Sequence, residues 1–369
     1  MVFIRKHLYT NDGTINDELL RKNVVIYGCG NDGKKLIKEL QRQNVIIEAL
    51  FDSNPDIWGK RIEGIEVKPI QELYNFQECN IALAFFLWPD VIGRVQEIFD
   101  DVYVDYPYEE ESNNKCIICK GNCVERKAHF APFIVERMFK GVDFKTKLIK
   151  CTSCNTYFSL YRPSDEEMNN LYFGYRDEEY IRVRCKTEQY NRNIYYNDTI
   201  ESVRRKEIEI FLGEEFDYGS IKYLLDYGGD EGQFIPLKFE NAEKYVYEIS
   251  GNKTRKGIYA INEFDDISNY NWNFIMCCHV LEHVSDPLMI LDKIINSLNK
   301  GFFYLELPYE TFVNSYSDVE INEHINFFTM ESIEQIAKIY KIKIKKKQIK
   351  NNVLRALYEK DMENDKGRI

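Results

Sequence analysis

Four cysteines fall into two pairs of identical spacing, Cys116 with Cys119 and Cys151 with Cys154. Two residues between thiolates let a tight turn aim both sulfurs at one ion, and two such turns make a tetrahedral four-thiolate zinc site. Cys123 and His129 lie near enough to replace one ligand. The alternative is two unrelated turns with free thiols. A redox role fits less well, because neither pair opens a helix after a strand. Four thiolates leave no open position, so the ion is expected to be structural, folding a segment too small for its own core.

Two glycine-rich turns offer a second chemistry. The string IKYLLDYGGDEG at 221–232 reads as an apolar strand ending in Asp226, followed by Gly228, Gly229 and Gly232. Glycines there let a ligand come close to the backbone. A further strand ends at Glu248, 22 positions after Asp226 (248 − 226), the span of one strand-helix-strand unit. An acid in that place can accept hydrogen bonds from both hydroxyls of a ribose. Nearer the start, GCGNDG at 28–33 places Gly28, Gly30 and Gly33 between a strand and a helix. Such a turn lets phosphate oxygens reach the helix N-terminus. Asp52 ends the next strand, 24 positions after Gly28 (52 − 28), and could also meet a ribose. The alternative is a Rossmann-like scaffold that keeps the turn for packing and binds nothing.

These residues need elements to hold them. The chain has 369 residues, which predicts two or three domains. Strands at 23–27, 45–51, 81–86 and 102–104 alternate with a helix at 34–41, which implies a parallel sheet. The acidic stretch 109–114 reads as a linker. Beyond the cysteine pairs, strands are expected at 273–278 and 302–307, and helices at 287–298 and 330–339. Strands at 342–349 and 353–358 suit an antiparallel hairpin, and 361–369 reads as a frayed tail. The boundaries are therefore 1–111, 112–163 and 164–369.

Charge and apolar runs narrow the class. The net charge is −11, from 49 basic and 60 acidic residues. That balance lacks the electrostatic footprint of a nucleic-acid binder. The first residues carry no apolar leader, and the longest apolar run, 81–88, falls far short of the roughly 20 residues that span a bilayer. The expectation is a soluble, cytoplasmic protein whose ten cysteines do not form five disulfides.

Residues 164–360 resemble a class I S-adenosylmethionine (SAM) dependent methyltransferase. The resemblance rests on LLDYGGDEGQF, the acid in VYEIS, the Asp pair in EFDDIS, and CCHVLEHVSDPLMIL. It implies an α/β fold with a Rossmann-like seven-stranded sheet and a terminal antiparallel hairpin. It further implies that Asp226, Gly228 and Gly229 face the methionine end and ribose of SAM. Glu248 would hold the ribose hydroxyls, and Asp265 or Asp266 would approach the adenine amino group. Ile267 would pack on the adenine ring, and His279 would close the pocket. One departure is Asp230, where the pattern expects glycine. Either the turn is adapted around an Asp that tolerates unusual backbone angles, or SAM binding is weakened or lost.

A second resemblance concerns the acceptor. NEHINFFT at 322–329 and LIKCTSCNTYFSLYRPSDEEMNNLY at 148–172 resemble sugar methyltransferases with an amino-terminal zinc module. It implies that His324, oriented by Glu323, faces the acceptor as base or clamp, while Thr329 caps the following helix. His283 stands evenly between a structural and a pocket role. IYGCGNDGKKLIKEL, FDSNP and WGKRIEGIEV resemble the small Rossmann-like domain attached to sugar-modifying enzymes, including acyltransferases. The expected whole is a zinc-containing, SAM-dependent carbohydrate-modifying methyltransferase. Its partner is a small sugar-type acceptor, without nucleic acid or a membrane span, and a homodimer is allowed for. Two rival readings are a non-catalytic nucleotide- or partner-binding protein with a degenerate SAM site, and a methyltransferase acting on protein.

Overall fold

Buried β-branched runs make the strands here, and glycine turns join them to helices. The structure is a computed structural model and describes residues 4–10, 12–84, 95, 97–99, 101–105, 109–175, 177–187, 198–249, 253–310, 313 and 318–361. Residues 85–86 of the expected strand and the tail at 362–369 lie outside the described residues. The chain divides into two compact units: Met1–Glu109 with Thr311–Val319, and Glu110–Glu310 with Glu320–Ile369.

In the first unit, β1 (Ile4–His7), β2 (Val24–Tyr27), β3 (Ile47–Asp52), β4 (Arg61–Ile62), β5 (Ile65–Pro69), β6 (Asn80–Leu83) and β7 (Asp101–Val104) form one sheet. Its order is β1-β7-β6-β2-β3-β5-β4, parallel except for the β4–β5 hairpin. Parallel strands covered on both faces read as continuous apolar runs, and all four residues of β2 are buried. Helix α1 (Asn31–Arg42) buries Leu36, Ile37 and Leu40. Gly33 is required at its start, because a Cβ there would collide with the Gly28 carbonyl.

The second unit opens with β8 (Glu110–Lys115), β9 (Asn122–Phe130), α2 (Pro132–Arg137), β10 (Thr146–Cys151) and β11 (Tyr157–Ser159). The stretch expected as a linker at 109–114 is thus largely a strand, paired antiparallel with β9. Its side chains are mostly exposed, so EESNNK shows no apolar alternation from which a strand could be read. Helices α3 (Asp165–Tyr172), α4 (Glu178–Arg184) and α5 (Asp198–Leu212) follow. Then come β12 (Tyr223–Tyr227), β13 (Glu243–Tyr247), β14 (Ile258–Ile261), β15 (Trp272–Cys278), α6 (Pro287–Ser297) and β16 (Leu298–Pro308). The chain continues through β17 (Asp318–Ile321), β18 (Asn326–Phe327), α7 (Met330–Tyr340), β19 (Lys343–Lys350) and β20 (Val353–Lys360).

The large sheet runs β14-β13-β12-β15-β16-β20-β19. Its first five strands are parallel, and β20 is antiparallel to both neighbours, so the expected terminal hairpin is present. The cysteine segment does not stand apart from it. Strand β11 pairs antiparallel with β18, Phe158 opposite Asn326. Cys116, Cys151, Cys154, Ile149 and Phe158 share one apolar core with Phe328, Ile333 and Ile336 of the large domain. Among the described residues, no helix is long and apolar enough to cross a membrane.

Candidate functional site

Strand β12 delivers Asp226, 2% exposed, to the edge of the glycine turn. Gly228 has φ +72°, and a Cβ there would strike Val280. A Cβ on Gly229 would strike the Asp226 carboxylate, so the turn admits only glycine at both places. Asp230 takes φ +52°, a left-handed conformation that Asp tolerates better than most residues. Its amide donates to Glu248 Oε2 at 3.1 Å, and its Oδ2 accepts from Gln233 Nε2 at 3.1 Å. Burial, with repulsion from Glu248, Asp230 and Glu306, raises the Asp226 pKa to about 7, while Arg204 opposes the shift.

The segment after β14 is arranged around Trp272. Ile267 is fully buried, and its carbonyl accepts from the Trp272 indole N–H at 2.8 Å. Asp265 is exposed and pairs with Lys293 at 3.0 Å, while Asp266 accepts from Asn269. Phe264, which the sequence reading did not single out, lies against the rings of Tyr227 and Tyr247.

The loop after β15 carries the histidines. His279 has φ +55°, and its amide donates to the Glu306 carbonyl at 2.9 Å. Its ring stands between two buried carboxylates, Nδ1 3.2 Å from Glu282 and Nε2 3.3 Å from Glu306. Burial works against the imidazolium, but Glu282 and Glu306 more than offset it and raise the pKa to about 9. Glu306 is in turn bound by Arg355, Arg204 and the Tyr304 hydroxyl.

His283 and His324 come together, ring centroids 4.7 Å apart at 69°. His283 Nδ1 lies 2.8 Å from Tyr172 Oη and 3.1 Å from the Glu323 carbonyl. Burial lowers its pKa. His324 Nδ1 lies 2.9 Å from Glu310 Oε2. Burial disfavours the His324 cation, but Glu310 outweighs it and the pKa is raised. The expected Glu323–His324 pairing is therefore replaced by Glu310–His324. The Glu323 carboxylate binds Tyr180 and Arg184 instead, the latter at 3.0 Å. Burial pushes the Glu323 carboxyl up, yet these partners hold its pKa below the ordinary value.

Arg162 locks the two histidine segments together. Its guanidinium donates to the carbonyls of Val284 and Ser285 at 2.9 and 2.6 Å and to that of Ile325 at 3.4 Å. Asn326 adds amide bonds to the Leu281 and Val284 carbonyls.

Residues 201–340 match the family model described as "Methyltransferase domain". That stretch, 201–340, is a methyltransferase-type domain by this match, and the sheet order above fits it. Residues 21–101 match the model described as "CoA binding domain". Two curated relatives are redox-sensing transcriptional repressors Rex. One, from Clostridium perfringens strain SM101, is 32% identical over 77 residues, 20% of this chain and 36% of that protein. The other, from Clostridium botulinum strain Eklund 17B, is 34% identical over 77 residues, 20% of this chain and 37% of that protein. The chain thus spans little more than a third of the length of the relatives it matches. Among solved structures, a 1,6-didemethyltoxoflavin-N1-methyltransferase from Burkholderia thailandensis aligns with TM-score 0.38 and 11% identity over 59% of this chain and 97% of that one. Magnesium protoporphyrin IX methyltransferase from Synechocystis aligns with TM-score 0.34 and 10% identity over 51% and 97%.

Beside the methyltransferase domain, the four cysteines converge. Cys116 and Cys154 sulfurs lie 3.6 Å apart, and those of Cys119 and Cys151 3.4 Å. Four ligands at the usual zinc–sulfur distance of about 2.3 Å on tetrahedral corners require separations of this size. The amides of Ile118 and Cys119 point at Cys116 Sγ, and those of Ser153 and Cys154 at Cys151 Sγ, as donors that suit thiolates. Cys123 is buried but outside the cluster, and His129 is half exposed near Glu320.

In the first unit, Asp52 closes the glycine turn. Its Oδ2 accepts from the Cys29 amide at 2.8 Å and its Oδ1 from the Asn54 amide at 2.9 Å. Gly28, at φ +108°, needs its missing side chain. Gly30 is the N-cap of α1 and has no neighbour where a Cβ would stand.

Proposed function

We propose that the chain methylates a small, sugar-type acceptor, such as a nucleotide-sugar or polysaccharide precursor, using SAM. The observation that carries this reading is the loop at 279–283. On one side Val280 packs where Gly228 leaves room, against the turn assigned to SAM. On the other side His283 meets His324, the residue assigned to the acceptor. One short loop therefore joins donor and acceptor ends, as an in-line displacement demands.

Bound SAM supplies an electrophilic methyl group on a sulfonium. The chain's own residues do the rest. Asp226, Gly228, Gly229 and Glu248 cradle the methionine end and ribose. Asp265, Asp266 and Ile267 belong to the adenine side, and His279 braces the pocket wall. His324 receives the nucleophilic atom of the acceptor, with Glu310 fixing its ring, and Glu323, its carboxylate held by Tyr180 and Arg184, steadies the pair through its carbonyl to His283. Cys116, Cys119, Cys151 and Cys154 hold a structural Zn2+. The turn at Gly28, Gly30 and Gly33, with Asp52, receives a nucleotide-type ligand in its own domain, 1–111, which precedes the zinc segment at 112–163 and the methyltransferase part from 164.

Calorimetric titration with SAM and S-adenosylhomocysteine tests the donor half. No heat at high micromolar ligand would sink the enzyme reading in favour of a binding protein. Mass spectrometry of a nucleotide-sugar panel incubated with SAM tests the acceptor half, the expected product carrying one added methyl.

A further inference from the structure

We propose that Glu282, His283 and His324 bind one divalent first-row transition-metal ion on the acceptor side of the methyltransferase domain. The inference rests on His324 being the acceptor-side residue, and it adds an ion between that ring and the acceptor atom.

Three observations meet here. First, the ligating atoms of these three side chains all lie within 4.8 Å of one another. Glu282 Oε1 is 3.8 Å from His283 Nε2. Second, the Glu282 side chain is wholly buried, and neither carboxylate oxygen accepts a hydrogen bond. His279 Nδ1 stands 3.2 Å from Oε1 as an ion-pair partner that Glu282 shares with Glu306. Oε2 is left buried without a partner of its own, a place that a further cation can fill. Third, both imidazoles are oriented from outside. A carboxylate can only accept, so Glu310 fixes the proton on Nδ1 of His324, and neutral His324 then carries an in-plane lone pair on Nε2. His283 Nδ1 is held by the Tyr172 hydroxyl and the Glu323 carbonyl, so its Nε2 is the nitrogen that faces Glu282. Outer partners of this kind are what metal-bound histidines regularly carry.

Two imidazoles and a carboxylate suit zinc, iron(II), cobalt or manganese rather than calcium or magnesium, which prefer all-oxygen sites. Unlike the closed four-cysteine cluster, three ligands leave coordination positions open. An acceptor oxygen can take one of them and become more acidic.

The test uses the full chain, purified with its cysteine cluster loaded, titrated with Co2+ and followed by elemental analysis and visible spectroscopy. The expected result is two ions per chain, the second lacking thiolate charge-transfer bands. Glu282→Gln and His324→Ala should each reduce the count to one, with circular dichroism and the thiolate bands unchanged. A single ion in the native chain overturns the proposal. So does a second ion that survives both substitutions together. SAM titration of the same samples separates the two failures: SAM bound without a second ion sinks the metal site alone, whereas no SAM binding sinks the functional reading beneath it.

Discussion

The hydroxyls of Thr156 and Ser332 meet at 2.8 Å, both side chains wholly buried and 176 residues apart in sequence. Thr329, the N-cap of α7, adds a bond from its own hydroxyl to the Cys154 carbonyl at 2.9 Å. The second cysteine turn is thereby built into the start of α7, directly after the segment that bears His324. Removing the proposed zinc by chelation should therefore release α7 as well as the cysteine turns. Hydrogen exchange should show protection lost across 326–336 together with 151–158. If only 116–123 and 151–154 respond, the coupling is absent. Thr156→Val, which removes the Thr156 bond while Ser332 keeps its bonds to Thr329, is expected to cost about 1 kcal/mol in denaturant unfolding.

Glu310→Gln separates ring orientation from charge. Because Glu310 raises the His324 pKa against burial, the variant should show a lower His324 pKa by imidazole NMR. A raised folded pKa contributes stability at low pH that is lost as pH rises through it, and this contribution should shrink in the variant. Turnover should fall about 10-fold, because the amide oxygen still orients the ring while the charge that supports its protonated form is gone. SAM affinity, measured by calorimetry, should not change.

Arg162 tests the clamp between the histidine segments. Arg162→Ala leaves the carbonyls of Val284, Ser285 and Ile325 without their guanidinium donor. Unfolding free energy should drop by about 3 kcal/mol, the scale of losing charged hydrogen bonds in a buried place. Arg162→Lys should not restore it, since an ammonium lacks the planar fork. Chemical denaturation of the three proteins decides the matter, and full recovery in the lysine variant would refute the geometry.

Asp226 gives a pH signature. Its pKa rises from an ordinary 3.8 to about 7 on folding, chiefly by burial. A raised folded pKa means the native state holds the proton more tightly than the unfolded chain. The associated stability is complete below about pH 4 and is lost as pH climbs through about 7. Asp226→Asn should remove this slope, so the stability difference between variant and parent should grow in the variant's favour from pH 4 to pH 8. Denaturant melts without SAM read it directly. The same variant should bind SAM poorly.

Asp230→Gly relieves a left-handed backbone without moving the turn. Its melting temperature should change by no more than the equivalent of ~1 kcal/mol, with SAM binding retained. Asp230→Ala should be less stable than the parent by about 1 kcal/mol. Thermal melts of the pair check the sign.

The parts legible in the sequence were those written in local spacing. The cysteine pairs, the strand ending at Asp226, the acid at Glu248 and the final hairpin all announce themselves within a few residues. Partners brought from afar did not. Glu310, just past the end of β16 and 14 positions before His324, reaches it with no characteristic spacing, while the adjacent Glu323 is drawn off by Tyr180 and Arg184. Arg162 acts on backbone carbonyls, which carry no residue identity. Strand β8 hides because an exposed edge needs no apolar alternation. The buried Glu306 inside an apolar strand is intelligible only with Arg204, Arg355 and His279 around it.

Strand β18 is only two residues long, yet it closes an edge of the cysteine sheet. A shortened protein beginning at 164 would strip β11 from that edge and bare one side of the core that Phe328 and Ile333 share with the cysteine turns. Exposed strand edges beside apolar surface invite chain-to-chain pairing. Such a fragment should precipitate during expression, whereas one beginning at 110 should stay in solution.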